Sequence, residues 1–378
     1  MVTSRAYLAN GRLGAGLEQV RAEVARLMSG FIANGAQTVE PAALLPADVL
    51  IDLYGEDLRA RAYTTHDPVA GELMLRPDFT VPVVQMHMAN GALAARYAYA
   101  GSVWRRQEQG SERATEYLQA GFELFGGDDP AADDAEVFAV MATALGDLPV
   151  APITGDLGLV IDAIEALDTN AHRKAALRRH VWRPTRFERL LQRYACPPTF
   201  SPERAQLLDA VRDGSILDFI EKSGAAQGVR AVEEIVARAE ILMEEKATPP
   251  LSKAAVALVS GVLNLKCTMA EAPKGLRKIA PMLSAAAIQL EARTEALSNA
   301  GIDVSSLPFE ASYGRKTLEY YDGFVFGFQA LARPELPQIA QGGRYDALTR
   351  VLGNAKGIPA VGGIIRPEAL LALRGGAA

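Results

Sequence analysis

The chain has 378 residues, of which 49% are hydrophobic and 22% are charged, and its formal net charge is −6. This composition supports one large domain with an insertion, or two domains of ordinary size, and it excludes a globally disordered chain. A mildly acidic chain is also a poor candidate for a dedicated nucleic-acid-binding protein, because binding to phosphates requires clustered Lys and Arg.

The cysteines and histidines form no pattern typical of a metal site. The two cysteines, Cys196 and Cys267, do not form a C-x-x-C pair, and the four histidines do not form an H-E-x-x-H motif. We expect a reducing compartment, no metal and no cofactor, with a single disulfide as the alternative. The N-terminus lacks a signal-peptide pattern and no apolar run predicts a membrane span, so the expected location is the cytoplasm.

The first 165 residues predict helices and strands in irregular order. Apolar residues at three- and four-residue spacing are typical of amphipathic helices. The predicted helices are residues 14–34, 80–95 and 130–145. Extended or alternating segments predict strands, two of which form a long hairpin around a polar loop. The predicted strands are residues 39–46, 72–76, 96–106, 117–125 and 154–160.

The remaining residues first become helical and then return to strands. Residues 166–301 are rich in Ala, Leu, Arg and Glu at helical spacing, and we predict a mainly helical insertion there. Strands are predicted at 309–313, 320–331 and 338–342, and helices at 345–352 and 367–373. Residues 1–165 and 302–378 then form one discontinuous domain. The order of elements predicts an α+β fold with an antiparallel sheet flanked by helices.

Four segments in fixed order carry the strongest functional signal. The first is LRPDFT at residues 75–80, and the second is a hairpin that begins at Tyr99 and ends in QAGFELFG at residues 119–126. The third is LEYYDGFVF at residues 318–326. The fourth combines GGRYD at residues 342–346 with PAVG at residues 359–362. No Walker A motif and no G-x-G-x-x-G after a strand is present.

Together these segments resemble the catalytic domain of class II aminoacyl-tRNA synthetases, specifically the histidyl enzyme. The hairpin is similar to motif 2, and the tyrosine pair is similar to the histidine-binding segment. The resemblance covers about residues 40–165 and 305–373. It implies a class II synthetase-like fold, a helical insertion between motifs 2 and 3, and a pocket for an amino acid.

Such a pocket requires acceptors for the ammonium group and cations or N–H donors for the carboxylate. Asp78, Gln119 and Glu123 supply acceptors, and the resemblance implies that the matching positions hold the α-amino group. Tyr320 and Tyr321 supply rings and phenols suited to an imidazole. The predicted histidine-binding residues are Asp78, Thr80, Arg105, Gln119, Glu123, Lys316, Tyr320 and Tyr321. A tyrosine pair in a buried core and a glutamate on a solvated strand face are the alternatives.

Residues that would serve ATP and tRNA are altered. Gln107 replaces a motif 2 glutamate, and the loop that follows is acidic where the synthetase loop is basic. Lys316 replaces an arginine and cannot make the same two-pronged contact, while Arg315 should point to the other face of the strand. Ala369 stands at the position of the ATP-stacking arginine in motif 3, and Arg366 replaces a glycine. No anticodon-binding domain is expected after residue 378.

This combination resembles the regulatory subunits of short-form ATP phosphoribosyltransferase, which are relatives of histidyl-tRNA synthetase. The resemblance implies a non-catalytic chain that activates a short catalytic subunit and mediates feedback inhibition by histidine. It also implies a dimer of this chain within a hetero-octamer, and tRNA is not expected as a partner. The alternatives are a truncated histidyl-like ligase that activates an amino acid for a non-tRNA acceptor, and a nucleic-acid processivity partner.

Overall fold

The structure, a computed structural model, describes residues 13–48, 62–90, 93–107, 114–224, 231–315, 320–353 and 356–375. The predicted ligand Lys316 lies outside these residues, as do residues 108–113 of the polar hairpin loop. No helix in the described part of the chain is both long enough and apolar enough to span a membrane.

Helices flank the sheets and fill most of the region between residues 157 and 299. They are α1 (Gly14–Ala33), α2 (Thr80–Asn90), α3 (Pro130–Leu145), α4 (Leu157–Glu165), α5 (Ala171–Arg179), α6 (Pro184–Tyr194), α7 (Pro202–Arg212), α8 (Ile216–Ser223), α9 (Val232–Ala247), α10 (Lys253–Leu263), α11 (Ala272–Ile279), α12 (Ser284–Asn299), α13 (Asp346–Leu352) and α14 (Pro367–Leu373).

Strands form one large sheet and one small sheet. They are β1 (Gln37–Thr38), β2 (Leu44–Pro46), β3 (Thr64–Asp67), β4 (Gly71–Leu75), β5 (Ala95–Trp104), β6 (Glu116–Phe125), β7 (Ala151–Asp156), β8 (Lys266–Thr268), β9 (Pro308–Glu310), β10 (Phe324–Gln329), β11 (Ala340–Arg344) and β12 (Ala360–Ile365). The large sheet has the order β1-β5-β6-β12-β11-β10-β7-β9-β8, and the small sheet has the order β2-β4-β3.

The predicted α+β class is confirmed, and the large sheet is mixed only toward its ends. Strands β5, β6, β12, β11, β10 and β7 pair antiparallel in that order. The pairs β1·β5 and β7·β9 are parallel. A purely antiparallel sheet was therefore too simple an expectation, because long connections bring β1 and β9 alongside their neighbours in the same direction.

One face of the large sheet packs against α1 and α3 through aromatic residues. Phe31 of α1 lies 6.0 Å, between ring centroids, from Phe122 of β6. Phe138 of α3 lies 5.3 Å from Phe326 and 5.2 Å from Phe328. Because side chains alternate along a strand, the neighbours of Phe122 on β6 point to the opposite face. That opposite face carries the candidate site.

Several predicted boundaries match and others differ for local reasons. The helices at 130–145 and 367–373 are confirmed, and the first starts where Asp129 accepts a 2.9 Å bond from the amide of Ala131. The strand predicted at 154–160 is wrong after Asp156. The Asp156 carboxylate accepts a 2.8 Å bond from the amide of Gly158 and so caps α4 at the point where a continued strand was expected.

Four further predicted segments are shorter in the structure. The helix predicted at 80–95 ends at Asn90, and of residues 39–46 only Leu44–Pro46 form a strand. The strand predicted at 309–313 ends at Glu310, and the strand predicted at 320–331 begins at Phe324.

Buried ion pairs connect the helical region to the large sheet. Arg293 of α12 donates to Asp134 of α3 at 2.7 Å and to Asp156 of β7 at 2.6 Å. Arg344 of β11 donates to the second oxygen of Asp134 at 2.9 Å. These contacts fix α12 against the sheet, because a buried charge without its partner is strongly unfavourable. The division into a sheet domain and an insertion at residues 166–301 remains a prediction.

Candidate functional site

The site is built on the open face of the β5–β6–β12 region. Glu123 of β6 lies opposite Tyr97 of β5 and Gly362 of β12 in the strand register. Gln119 lies opposite Gly101 of β5. Directly opposite residues point to the same face, so Glu123, Gln119 and the residue between them, Gly121, face one surface. The predicted acceptors Gln119 and Glu123 are thus brought together by the hairpin.

Glu123 is the centre of a buried hydrogen-bond network. Its Oε1 accepts bonds from the hydroxyls of Tyr99 at 2.7 Å and Thr80 at 3.3 Å, and its Oε2 accepts one from Tyr345 at 2.6 Å. Tyr320 in turn donates to Thr80 Oγ1 at 3.2 Å. Burial raises the pKa of Glu123 to about 7, although the three hydroxyl donors act in the opposite direction. This carboxylate therefore changes charge near neutral pH.

Glycines make room for this network. A Cβ atom at position 362 would lie 1.4 Å from Glu123 Oε2, and one at position 121 would lie 2.3 Å from the Tyr99 ring. Neither position could carry a side chain without displacing a buried polar group. The sheet backbone is therefore in direct contact with Glu123 and Tyr99.

Asp78 and Gln119 complete the acceptor side. Asp78 Oδ1 accepts a 3.4 Å bond from the amide of Val81 in the first turn of α2. The side chain of Gln119 is 1% exposed, and its Oε1 has no hydrogen-bond partner among the described residues. A buried carbonyl oxygen without a donor is costly and is typical of sites that bind a polar ligand.

Aromatic residues cover the acceptor cluster. The rings of Tyr320 and Tyr321 lie 4.7 Å apart, and Tyr345 meets Tyr320 edge-on at 6.1 Å. The predicted residues on this side have exposed fractions between 1% and 7%: Asp78, Thr80, Gln119, Glu123, Tyr320 and Tyr321. These side chains are therefore almost completely buried.

Arg105 lies at the end of β5, beyond the acceptor cluster. Its Nε donates to the carbonyl of Pro77 at 2.8 Å, next to Asp78, and its guanidinium lies 5.9 Å from the Tyr117 ring. Arg315 is buried elsewhere, where it donates to the carbonyl of Val181 at 2.6 Å and lies over Phe187. Arg315 thus packs against the helical region; it lies in a turn and not in a strand, so the expectation based on strand alternation does not apply to it.

Sequence reasoning did not select Tyr99, Tyr345 or Gly362 as site residues. Tyr99 lies within the motif 2 hairpin and has the same strand parity as Gly101, which the register places opposite Gln119. Tyr345 and Gly362 lie in the fourth motif, which served only as a family signature. The missing signal was the pairing of β12 with β6, which cannot be read from either strand alone.

The residues described by the structure contain no group of three or more His, Cys, Asp or Glu side chains arranged to hold a metal ion. The site consists instead of neutral hydroxyls, one amide and two carboxylates on one side and arginine on the other. This chemistry suits a small ligand that carries both N–H donors and an anionic group.

Comparisons with known proteins agree on one family. The sequence profile described as histidyl-tRNA synthetase matches residues 12–245 and 220–370. The ATP phosphoribosyltransferase regulatory subunit of Brucella anthropi is 33% identical over 344 residues, which are 86% of this chain and 90% of that protein. The protein of the same name from Brucella canis is 31% identical over 359 residues, or 91% of this chain and 94% of that protein.

Solved structures share the fold. An ATP phosphoribosyltransferase regulatory subunit/histidyl-tRNA synthetase from Bacillus halodurans superposes with a TM-score of 0.68 at 19% identity, covering 99% of this chain and 83% of that one. A histidine–tRNA ligase subunit from Alicyclobacillus acidocaldarius has a TM-score of 0.59 at 22% identity and covers 97% of this chain and 96% of that one. The class II synthetase-like fold predicted from the sequence is confirmed.

Proposed function

This chain belongs to the histidyl-tRNA synthetase family and, within it, to the ATP phosphoribosyltransferase regulatory subunits, and from this premise we propose that it regulates that enzyme by binding histidine. In this proposal it activates a short catalytic subunit and transmits feedback inhibition. The chain forms a dimer within a hetero-octamer. Its own contribution is recognition of the effector and not catalysis.

The observation that carries the proposal is the buried acceptor cluster around Glu123. Tyr99, Thr80 and Tyr345 donate hydrogen bonds to the two carboxylate oxygens, and Gln119 Oε1 lies nearby with no donor in the part of the chain that the structure describes. Histidine presents several N–H donors and a flat ring. Carboxylate and amide oxygens accept from such donors, and tyrosine rings pack against the imidazole.

Regulation requires more than tight binding. An effector shifts an equilibrium only when it binds two conformations with different affinity. Tyr320 and Tyr321 are 7% and 6% exposed, and in this proposal they change position when the ligand binds and leaves. We propose that the tyrosine pair can occupy two positions and that histidine shifts the equilibrium between them.

Loss of synthetase chemistry is part of the proposal. Ala369 is buried at 7% exposure on α14 and offers no cation for stacking on an adenine ring. An adenine ring bound here would therefore lack the arginine that stacks on it in the resembling synthetases.

Reconstitution with a short catalytic subunit tests the function. Addition of this chain should raise the rate of phosphoribosyl transfer from the catalytic subunit, and histidine should lower it again. Glu123→Ala should remove the histidine effect, while the matched variant Glu240→Ala, on an exposed position of α9, should respond normally. A complex that forms but shows no activation, or a Glu123→Ala complex that histidine still inhibits fully, would contradict the proposal.

A further inference from the structure

A pair of arginines flanks Tyr117 at the end of β6. The guanidinium carbon of Arg105 lies 5.9 Å from the Tyr117 ring centroid, and that of Arg366 lies 6.0 Å from it. Tyr117 has the same strand parity as Gln119 and Glu123, so it faces the same surface. The two arginines therefore lie at one end of this row of side chains, and Glu123 lies at the other.

The sheet register places Arg366 next to Gln119. Ile364 of β12 lies opposite Gly121 of β6, and Arg366 follows two residues later on the same face. The backbone amide of Arg366 donates to the carbonyl of Ile339 at 2.9 Å, which keeps the extended course of β12. The side chain is thus directed along the site face.

Arg366, which is partly buried and directly follows β12, differs from the buried arginines Arg344 and Arg293. Arg344 and Arg293 each make ion pairs with carboxylates. In the described part of the chain no carboxylate oxygen lies within 4.0 Å of Arg366, whose Nη1 donates to the carbonyl of Gln338. Burial lowers the pKa of Arg366 to about 10, and the charge of Arg105 adds to this effect. Even so the side chain is cationic at neutral pH, and it gains most from an anionic partner.

The site consequently has two ends of opposite character. Glu123 and Tyr117 are six residues apart on β6, which corresponds to about 20 Å at roughly 3.4 Å per residue. The Tyr321 phenol connects the two ends, because it is close enough to interact electrostatically with Glu123, Arg105 and Arg366. Gln119 lies between the two ends. This order of groups matches an amino acid whose donors and carboxylate point in opposite directions.

We infer that Arg366, with Arg105, binds the carboxylate of the amino-acid effector, whose ring then lies toward Glu123. This inference rests on the proposed function, because it names the group that recognises the effector's anionic end. It also explains the residue change at position 366. Where the resembling synthetases have a glycine, this chain has a cation that can supply the two-pronged contact that Lys316 cannot make.

Paired changes of ligand and protein test the inference. Calorimetric titration compares histidine with histamine, which lacks the carboxylate, on the wild-type chain, Arg366→Gln and Arg366→Lys. The wild type should bind histidine roughly 10- to 100-fold more tightly than histamine, as expected for a charge-assisted hydrogen bond. Arg366→Gln should bind histidine more weakly and histamine as the wild type does, so that most of this preference is lost. Arg366→Lys should retain an intermediate preference.

The control is Arg189→Gln, an exposed arginine on α6, which should bind both ligands as the wild type does. Equal affinity of the wild type for the two ligands, or an unchanged preference in Arg366→Gln, would overturn the role of Arg366 while leaving histidine binding intact. The comparison of the two ligands on the wild type does not depend on whether any variant folds. Failure of the wild type to bind histidine at all would instead overturn the proposed function, and this inference with it.

Discussion

Gly362 and Glu123 lie so close that a single methyl group at position 362 would occupy the place of the carboxylate. The Cβ of an alanine there would lie 1.4 Å from Glu123 Oε2. Any displacement of the Glu123 carboxylate would break the hydrogen bonds that Tyr99 and Tyr345 donate to its two oxygens. The geometry of the site therefore depends on a residue without any functional group.

Gly362→Ala should abolish histidine binding and lower the free energy of unfolding by about 1–3 kcal/mol, as other overpacked cores do. The matched control is Gly30→Ala in α1, where a Cβ meets nothing within 4 Å. That change should leave binding unaltered and raise stability slightly, because alanine favours a helix. Titration and chemical denaturation of both variants provide the measurement, and tight histidine binding by Gly362→Ala would show that the effector lies elsewhere.

Glu123→Gln should stabilise the ligand-free chain at pH 8 by about 1–3 kcal/mol while weakening histidine binding. Burial raises the pKa of Glu123 to about 7 in the folded chain. Its contribution to the free energy of unfolding is therefore fully present at pH values below the ordinary pKa of a glutamate and is lost as the pH rises through 7. A glutamine does not titrate, so the variant does not lose this stability as the pH rises. Thermal denaturation between pH 5 and pH 8 should show a smaller decline for the variant.

The control for that experiment is Glu240→Gln, an exposed carboxylate on α9. It should reproduce the decline of the wild type, part of which comes from Asp322 and Asp133, whose pKa values burial raises to about 7 and about 6. Parallel curves for the wild type and Glu123→Gln would mean that Glu123 does not titrate in this range.

Arg293→Met should lower the free energy of unfolding by about 3–5 kcal/mol, because it leaves the buried carboxylates of Asp134 and Asp156 with fewer partners. The comparison is Arg277→Met, which breaks an ion pair with Glu291 on the surface. The surface change should have little effect, because solvent and salt screen exposed pairs. Equal effects of the two substitutions in urea denaturation would contradict the structural role of the buried network.

The chain should catalyse no histidine-dependent exchange between ATP and pyrophosphate. Ala369 lacks the cation that would stack on adenine. Radiolabelled pyrophosphate exchange measures this directly, with a histidyl-tRNA synthetase as the positive control. Measurable exchange would favour the truncated-ligase alternative.

The sequence predicted those parts of the site that lie within continuous motifs. Asp78, Thr80, Gln119, Glu123 and the tyrosine pair were selected from such segments, and the structure brings them into one cluster. Tyr345 and Arg366 were outside the prediction because their positions depend on the register of β11 against β12 and of β12 against β6. Long-range pairing of this kind leaves no local periodicity.

The same limit explains the errors in the fold. The strand predicted through residue 160 was wrong after Asp156 because a run of apolar residues suits either a buried strand or a helix. The cap formed by Asp156 decides in favour of α4. The parallel pairs β1·β5 and β7·β9 were missed because their partners are far apart in the chain.

Calorimetric titration of the purified chain with histidine is the most direct test. The account predicts saturable binding with one site per chain, weakened at least about 10-fold by Asp78→Ala or Glu123→Ala and unchanged by Glu240→Ala. Absence of binding by the wild type, or equal affinity in Glu123→Ala, would contradict the claim that this cluster recognises histidine.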